Sequence, residues 1–447
     1  MISHYVYNVC KFKKWKILLF VVGICVLLLN ANIILRSFYP SVTQLTELHK
    51  CPACYGISAC RDIHEVDLLW HDRKAIFSHL FGVKNVFFGT YNRSKVVLKK
   101  LAHSFELNAF DVALCEKLDF NYPCSNIPLD RFTVDFYHLI EKTITSDFSK
   151  DDSSRLRLCP IVYHLDDLLH NVYLNNKNVD STEFLINLWT LVSVNPEPLI
   201  LQILSAKNGW PVPEYFGACG RIIIEEYVGA PLSDYHDKPW LERAKVASSL
   251  LNAAHMFTFR NEQFGFYLTD ISYDNIAVDY NNVAKFIDLE NIIIVDKNPS
   301  RKGNRVYYKI IRKSKLRNSM NMAIQLTHQS VDRPEKWQEL HENTMHLDCP
   351  NCFAFSAEDI CNHHLSDHNY YAICQLLSGL QSADLFSDGF LHDIPINIQR
   401  QYSNVDYLLQ QCVAPTSSNS RIFFGQLLKM TLDAILEMPR RKHNETK

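Results

Sequence analysis

Glycine and proline are scarce in this chain. Thirteen glycines and 17 prolines among 447 residues exclude a collagen-like or low-complexity polymer. Net charge is nearly absent: 46 basic residues against 48 acidic ones give −2 at neutral pH. No basic stripe advertises a nucleic-acid partner, and none is expected. No D-x-D occurs, which removes the metal motif of a nucleotide-sugar glycosyltransferase. No G-x-G-x-x-G occurs either, so an ordinary glycine-rich phosphate loop is missing. What remains is 47% apolar and 21% charged, the balance of a globular protein with a sizeable core. The length allows one large domain or two ordinary ones plus a tail.

Acidic residues are missing before Glu47. Lys11, Lys13, Lys14 and Lys16 precede an apolar run over residues 17–35, interrupted at Asn30 and Asn32. A basic flank before an apolar run is a secretory targeting signal, with the lysines left in the cytosol. Its 13 strictly apolar positions suit a signal-peptide core, and all 19 just suffice to cross a bilayer. Two outcomes stay open. One is an uncleaved type II anchor at 17–35 behind a cytosolic tail, 1–16. The other is a cleaved signal peptide. Either sends the rest to the ER or Golgi lumen, membrane-held or secreted. Residues 41–447 carry 41 basic against 48 acidic residues.

Twelve cysteines follow the targeting segment: Cys51, Cys54, Cys60, Cys115, Cys124, Cys159, Cys219, Cys349, Cys352, Cys361, Cys374 and Cys412. An even number behind a secretory signal reads as disulfides. The rival is zinc, because Cys51-Pro-Ala-Cys54 and Cys349-Pro-Asn-Cys352 have thiolate-ligand spacing. Asn92-Arg93-Ser94 and Asn444-Glu445-Thr446 are glycosylation sequons, as lumenal exposure would allow.

Residues 41–65 read as a short cysteine-rich stem. Residues 83–100 alternate β-branched runs around Tyr91-Asn92-Arg93 and predict a hairpin with the Asn92 sequon on its turn. Phe105, Ala109, Val112 and Leu114 recur at helical spacing within 102–118. Helical pattern returns over 182–205 and 240–260. Residues 211–217 and 222–228 predict paired strands, and two short β runs at 276–278 and 284–288 flank Tyr280-Asn281-Asn282. Residues 297–347 read as a long loop and 355–440 as helices. Strands first and helices last is the α+β order.

The chemistry concentrates at Asp270-Ile-Ser-Tyr-Asp-Asn275. A carboxylate stands five residues before an asparagine, and a second, Asp288, ends a later β run. Phosphoryl transfer needs such a set: Asp270 to accept a hydroxyl proton, Asn275 and Asp288 to hold Mg²⁺ or Mn²⁺ against nucleotide phosphates. The plain alternative for Asp270 and Asn275 is turn or cap chemistry.

In these residues the chain resembles the protein kinase fold. Asp270 and Asn275 match the spacing of H-R-D-L-x-x-x-N, and Asp288 follows Asp270 by 18 residues, in the order of the D-F-G aspartate. Val96-Val97-Leu98-Lys99 resembles V-A-I-K, which implies that Lys99 contacts the nucleotide phosphates. The helix after it should supply a glutamate to Lys99, Glu106 or else Glu116. Glu226-Tyr227-Val228 resembles the hinge that binds adenine. Adding Cys51-Pro-Ala-Cys-Tyr-Gly, Asn195-Pro-Glu-Pro, Tyr215-Phe-Gly-Ala-Cys-Gly-Arg221 and Asp367-His-Asn-Tyr-Tyr narrows the resemblance. These motifs are similar to the secretory-pathway divergent protein kinase-like family, nearest its deleted-in-autism branch.

The resemblance spans about 48–415. It implies a two-lobed α+β fold, with an N-lobe at 66–228 carrying an insertion at about 119–200, and a C-lobe at 229–440. It implies ATP and Mg²⁺ or Mn²⁺ as cofactors, and a secretory protein or glycan as substrate. The departures imply a second reading, a pseudokinase that serves as a secreted ligand for a cell-surface receptor or as a trafficking partner. Leu268 and Thr269 replace the His and Arg of H-R-D, D-F-G reads Asp288-Leu289-Glu290, and A-P-E is missing. Asp147, Asp151 and Asp152 lack calcium-loop spacing. His363, His364 and His368 beside Cys361 read as a disulfide neighbourhood or polar surface rather than a metal site.

Overall fold

The structure is a computed structural model. It describes residues 20–24, 40–69, 85–124, 134–144, 155–159, 162, 164–175, 181–297, 338–343, 355–379, 388–416 and 420–438. Among them no single helix is long and apolar enough to cross a membrane. Residues 20–24 are helical and exposed; the rest of the targeting segment, Cys349, Cys352, Asp147, Asp151, Asp152 and Asn444 lie outside the described residues.

After the stem come β1 (Asp67–Leu68), β2 (Asn85–Tyr91) and β3 (Ser94–Lys100). Five helices follow, with the two-residue β4 (Arg157–Leu158) among them: α1 (Ser104–Lys117), α2 (Phe136–Ile144), α3 (Leu165–Asn175), α4 (Thr182–Ser193) and α5 (Glu197–Ile203). β5 (Tyr215–Cys219) and β6 (Ile222–Glu226) then return to the first sheet, whose order is β1-β2-β3-β6-β5 with every pair antiparallel. The expected hairpin is there. Its turn has Asn92 and Arg93 at positive φ, the conformation a two-residue hairpin turn demands, and the Asn92 sequon is exposed on it.

Alternation along the strands gives this sheet two different faces. Phe87, Val96, Leu98, Ile222 and Ile224 pack on Leu45, Ile63 and Val66 of the stem side. Val97, Lys99, Ile223 and Glu225, at the intervening positions, belong to the other face. The stem is clamped in place by Cys60–Cys219, a bridge over 159 residues. Buried Arg221 adds to the clamp. Its guanidinium donates to the Lys50 and Ala53 carbonyls and, at 2.6 Å, to both oxygens of Asp111 on α1.

The second half is mainly helical. β7 (Ala230–Pro231) leads to α6 (Trp240–His255), then β8 (Phe264–Tyr267), β9 (Ile276–Val278), β10 (Ala284–Phe286) and β11 (Ile293–Asp296). β10-β9-β7 and β4-β11-β8 are small sheets. β12 (Gln338–His341) pairs in parallel with β13 (His363–Ser366), placed after α7 (Ala357–Cys361). Both strands were expected as loop or helix; polar histidine-rich runs give no β signal of their own, and each depends on its partner. α8 (His368–Ser378), α9 (Ile396–Gln401), α10 (Val405–Val413) and α11 (Arg421–Leu436) close the chain. One apolar core joins α6, α8, α10 and α11 to Trp210, Phe257, Phe266 and Phe286.

Cysteine pairing excludes zinc at the first C-x-x-C, because Cys51 and Cys54 are bonded to each other. Cys115–Cys124, Cys159–Cys361 and Cys374–Cys412 are the other bridges among the described residues. The histidines near Cys361 are hydrogen-bonded to the chain: His363 to Asp359, His364 to Lys297 and His368 to Leu268.

Candidate functional site

Lys99 sits near the end of β3, opposite Val86 on β2 and Ile223 on β6. Its ammonium lies 2.7 Å from Glu197 Oε1 and 2.7 Å from Glu225 Oε1, and it donates to the Ile287 carbonyl. These groups are almost wholly buried, Lys99 at 8%, Glu197 at 3% and Glu225 at 1% exposure. Burial works against the lysine's charge, but Glu197 and then Glu225 outweigh it and hold its pKa above the usual value. Burial pushes Glu197 up to about 8 against the pull of Lys99, with Glu225 and Asp288 adding repulsion. Glu225 is raised for the same first reason, again against Lys99.

The expectation for Glu106 is corrected here. Its carboxylate accepts the His103 N–H at 2.7 Å and closes a capping box at the start of α1. Glu116 is exposed on the last turn of the same helix. The acid that meets Lys99 is Glu197, at the first turn of α5. Asn195 and Pro196 set that turn: Asn195 Oδ1 accepts the Glu197 N–H at 2.9 Å, and its amide donates to Leu101 O at 3.1 Å. α4 and α5 meet at 106° across this break, which a proline at the helix start permits.

The loops after β8 and β10 complete the neighbourhood. Asn275 Nδ2 donates to the Asp270 carbonyl at 3.3 Å, and its own carbonyl accepts the Ile287 N–H at 3.0 Å. Thr269 Oγ1 donates to Asn291 O at 2.6 Å. The segments 269–275 and 287–291 are therefore stitched side by side, and Ile287 meets Lys99. Asp270 is exposed, Asn275 and Asp288 half-buried. Burial raises the Asp288 pKa, with Glu290 and Asp270 pushing the same way and Lys99 opposing. Glu290 pairs with the Asn195 amide.

Behind these loops α8 acts as the anchor. Asn369 accepts the Leu268 N–H at 3.0 Å and donates to Phe266 O at 2.8 Å, and His368 Nε2 bonds Leu268 O at 2.9 Å. Asp367 is held in turn by buried Arg421.

At the other edge, Glu226 pairs with Lys285 at 2.8 Å and its N–H donates to Glu214 O. Tyr227 N–H donates to Lys95 O at 3.3 Å, and its ring meets Phe88 edge-on at 5.8 Å. Val228 follows. Gly229 then passes so close to β9 that a Cβ would stand 2.0 Å from Val278 O. Only glycine fits there.

Three residues of this neighbourhood were unassigned in the sequence: Glu197, Glu225 and Tyr55. Glu197 and Glu225 carried a local mark: Glu197 stands between two prolines ahead of an apolar run, and Glu225 ends the run Ile222-Ile223-Ile224. Tyr55, in the Cys51-Pro-Ala-Cys-Tyr-Gly motif, is buried to 3% exposure with an unpartnered hydroxyl.

A basic residue on a sheet, held by a helix carboxylate and facing loops with two more carboxylates and an asparagine, is protein kinase-like in class. A family profile described as the protein-kinase domain of FAM69 matches residues 188–306 and 316–415. Divergent protein kinase domain 2A of Xenopus tropicalis is 32% identical over 435 residues, 92% of this chain and 93% of that protein. The Homo sapiens 2A protein is 32% identical over 400 residues, 85% of each chain. The Homo sapiens 2B protein is 27% identical over 291 residues, 60% of this chain and 65% of that one. The chain belongs to the divergent protein kinase domain family.

Proposed function

We propose that this is a two-lobed kinase-like protein of the secretory lumen that binds ATP with a divalent cation and phosphorylates hydroxyls on secretory proteins or glycans. The observation that carries the reading is the Lys99–Glu197 pair, tied through the Ile287 carbonyl to the neighbour of Asp288. Its oxygen donors suit a hard cation. Among the described residues no three His, Cys, Asp or Glu side chains converge to hold a metal ion by themselves. Asp288 and Asn275 would share a cation with phosphate oxygens, as Mg²⁺ prefers. When bound, that cation would offset the phosphates' charge. Lys99 would orient the phosphates, and exposed Asp270 would take the hydroxyl proton. The bridges and the exposed Asn92 support an oxidising, lumenal setting.

A second reading, a pseudokinase acting as secreted ligand or trafficking partner, is favoured by Asp288-Leu289-Glu290, whose third residue is a carboxylate that repels Asp288. Thermal shift with ATP, with and without Mn²⁺ or Mg²⁺, separates the two. The enzyme-like reading expects a metal-dependent rise in Tm that Asp288→Ala abolishes while folding is kept. No rise in a folded, oxidised protein turns the choice to the pseudokinase.

A further inference from the structure

An ammonium has three N–H donors, and all three of Lys99 have protein acceptors: Glu197, Glu225 and the Ile287 carbonyl. The first and third hold the lysine between α5 and the loop that carries Asp288. Glu225 has no such positioning part. It comes from the sheet itself, in register with Val97 on β3, which in turn opposes Phe88 on β2. The next residue, Glu226, is where the strand turns into the segment 226–228. Glu225 is thus on the same sheet face as Lys99, one step along the strand toward the base end of the proposed nucleotide site. Its second oxygen, Oε2, is buried with no hydrogen-bond partner. A buried polar atom left unpaired is costly, and Lys99 meets two carboxylates, more acid than one ammonium can balance. Apolar neighbours Val97 and Ile223 would accept a plain hydrophobe at that position.

We propose that Glu225 is the affinity-setting residue of this site, a built-in competitor that occupies the third donor of Lys99 and opposes entry of a nucleoside triphosphate. The inference rests on the nucleotide-binding reading of Lys99 given above. A triphosphate that takes the Lys99 donor held by Glu225 meets that carboxylate's charge at short range among buried groups, where like charges repel strongly. Neutralising position 225 therefore strengthens nucleotide binding, the opposite of what loss of an ordinary pocket residue does.

The test is calorimetric titration of full-length protein with ATP and Mn²⁺, comparing wild type, Glu225→Gln and Glu225→Met, alone and with Lys99→Met. Glutamine keeps the shape and an acceptor for Lys99, and methionine fills the space if glutamine does not fold. Melting without ligand checks that each variant is folded. The expected result is binding about tenfold tighter or better in the 225 variants, a gain of about 1.4 kcal/mol, lost when Lys99 is also methionine. Unchanged or weaker binding in folded 225 variants overturns the proposal, and if wild type still shows Asp288-dependent binding the nucleotide reading survives. A gain that persists without Lys99 also overturns it. No binding by any folded variant overturns both.

Discussion

At the scale of single residues, the charges around Lys99 decide the behaviour of the site. Glu197, Glu225 and Asp288 outnumber one ammonium, so the folded protein holds protons that the unfolded chain releases. Glu197 titrates near 4.5 when unfolded and at about 8 when folded. Between those values the native state binds more protons, so its stability falls as pH rises, at up to about 1.4 kcal/mol per pH unit for one proton. Burial is the main cause of the Glu197 shift and Glu225 adds repulsion to it, so Glu225→Gln leaves Lys99 with a single carboxylate and lessens this slope. Calorimetric Tm values of wild type and variant are expected to be similar near pH 5, with the variant a few degrees higher at pH 8. Legibility at this scale was mixed. Lys99, Asp270, Asn275 and Asp288 stood out by type and spacing. The carboxylate for Lys99 did not, because Lys99 and Glu197 are 98 positions apart, while Glu106 has a local duty as a cap that also favours an acid.

At the scale of elements, hydrophobic period and turn chemistry made β2, β3, α1 and α6 readable, since each is specified by its own residues. The break at Asn195-Pro196 turned one expected helical stretch into α4 and α5, and that break delivers Glu197. α8 shows a different dependence. Its first residues look polar in sequence, yet Asp367, His368 and Asn369 are fully buried, because they satisfy the backbone of 266–268 and Arg421. Asn369→Leu would strand the Leu268 N–H and the Phe266 carbonyl, each without its partner, and leave the Thr258 hydroxyl with only its bond to Ala254 O. The expected loss is about 2–3 kcal/mol of stability in urea denaturation, although leucine is the better helix former and propensity alone would favour the variant.

At the scale of the whole molecule, the stem belongs to the fold. It covers one face of the first sheet through Leu45, Ile63 and Val66 and is clamped by Arg221 and Cys60–Cys219. Closing so long a loop restrains the unfolded chain, and native bridges of this kind are worth about 2–5 kcal/mol. The double variant Cys60→Ser, Cys219→Ser is expected to melt lower under oxidising conditions. Reductant should lower its Tm less than it lowers that of wild type. An equal drop would show that the other bridges carry the effect.

Local information in the sequence determined the hairpin at 85–100, the helices with clear period, the kinase-like family and, among the described residues, cysteines that pair as disulfides. These follow from nearest neighbours: turn residues, strand alternation, spacing and redox setting. Tertiary structure alone decided which acid meets Lys99, that a second acid meets it too, and that polar residues at the head of α8 hold the loop from inside. Such outcomes depend on which distant segments share a buried, low-dielectric space. There a charge or an amide must find its partner wherever the fold brings one, and no local pattern records the distance.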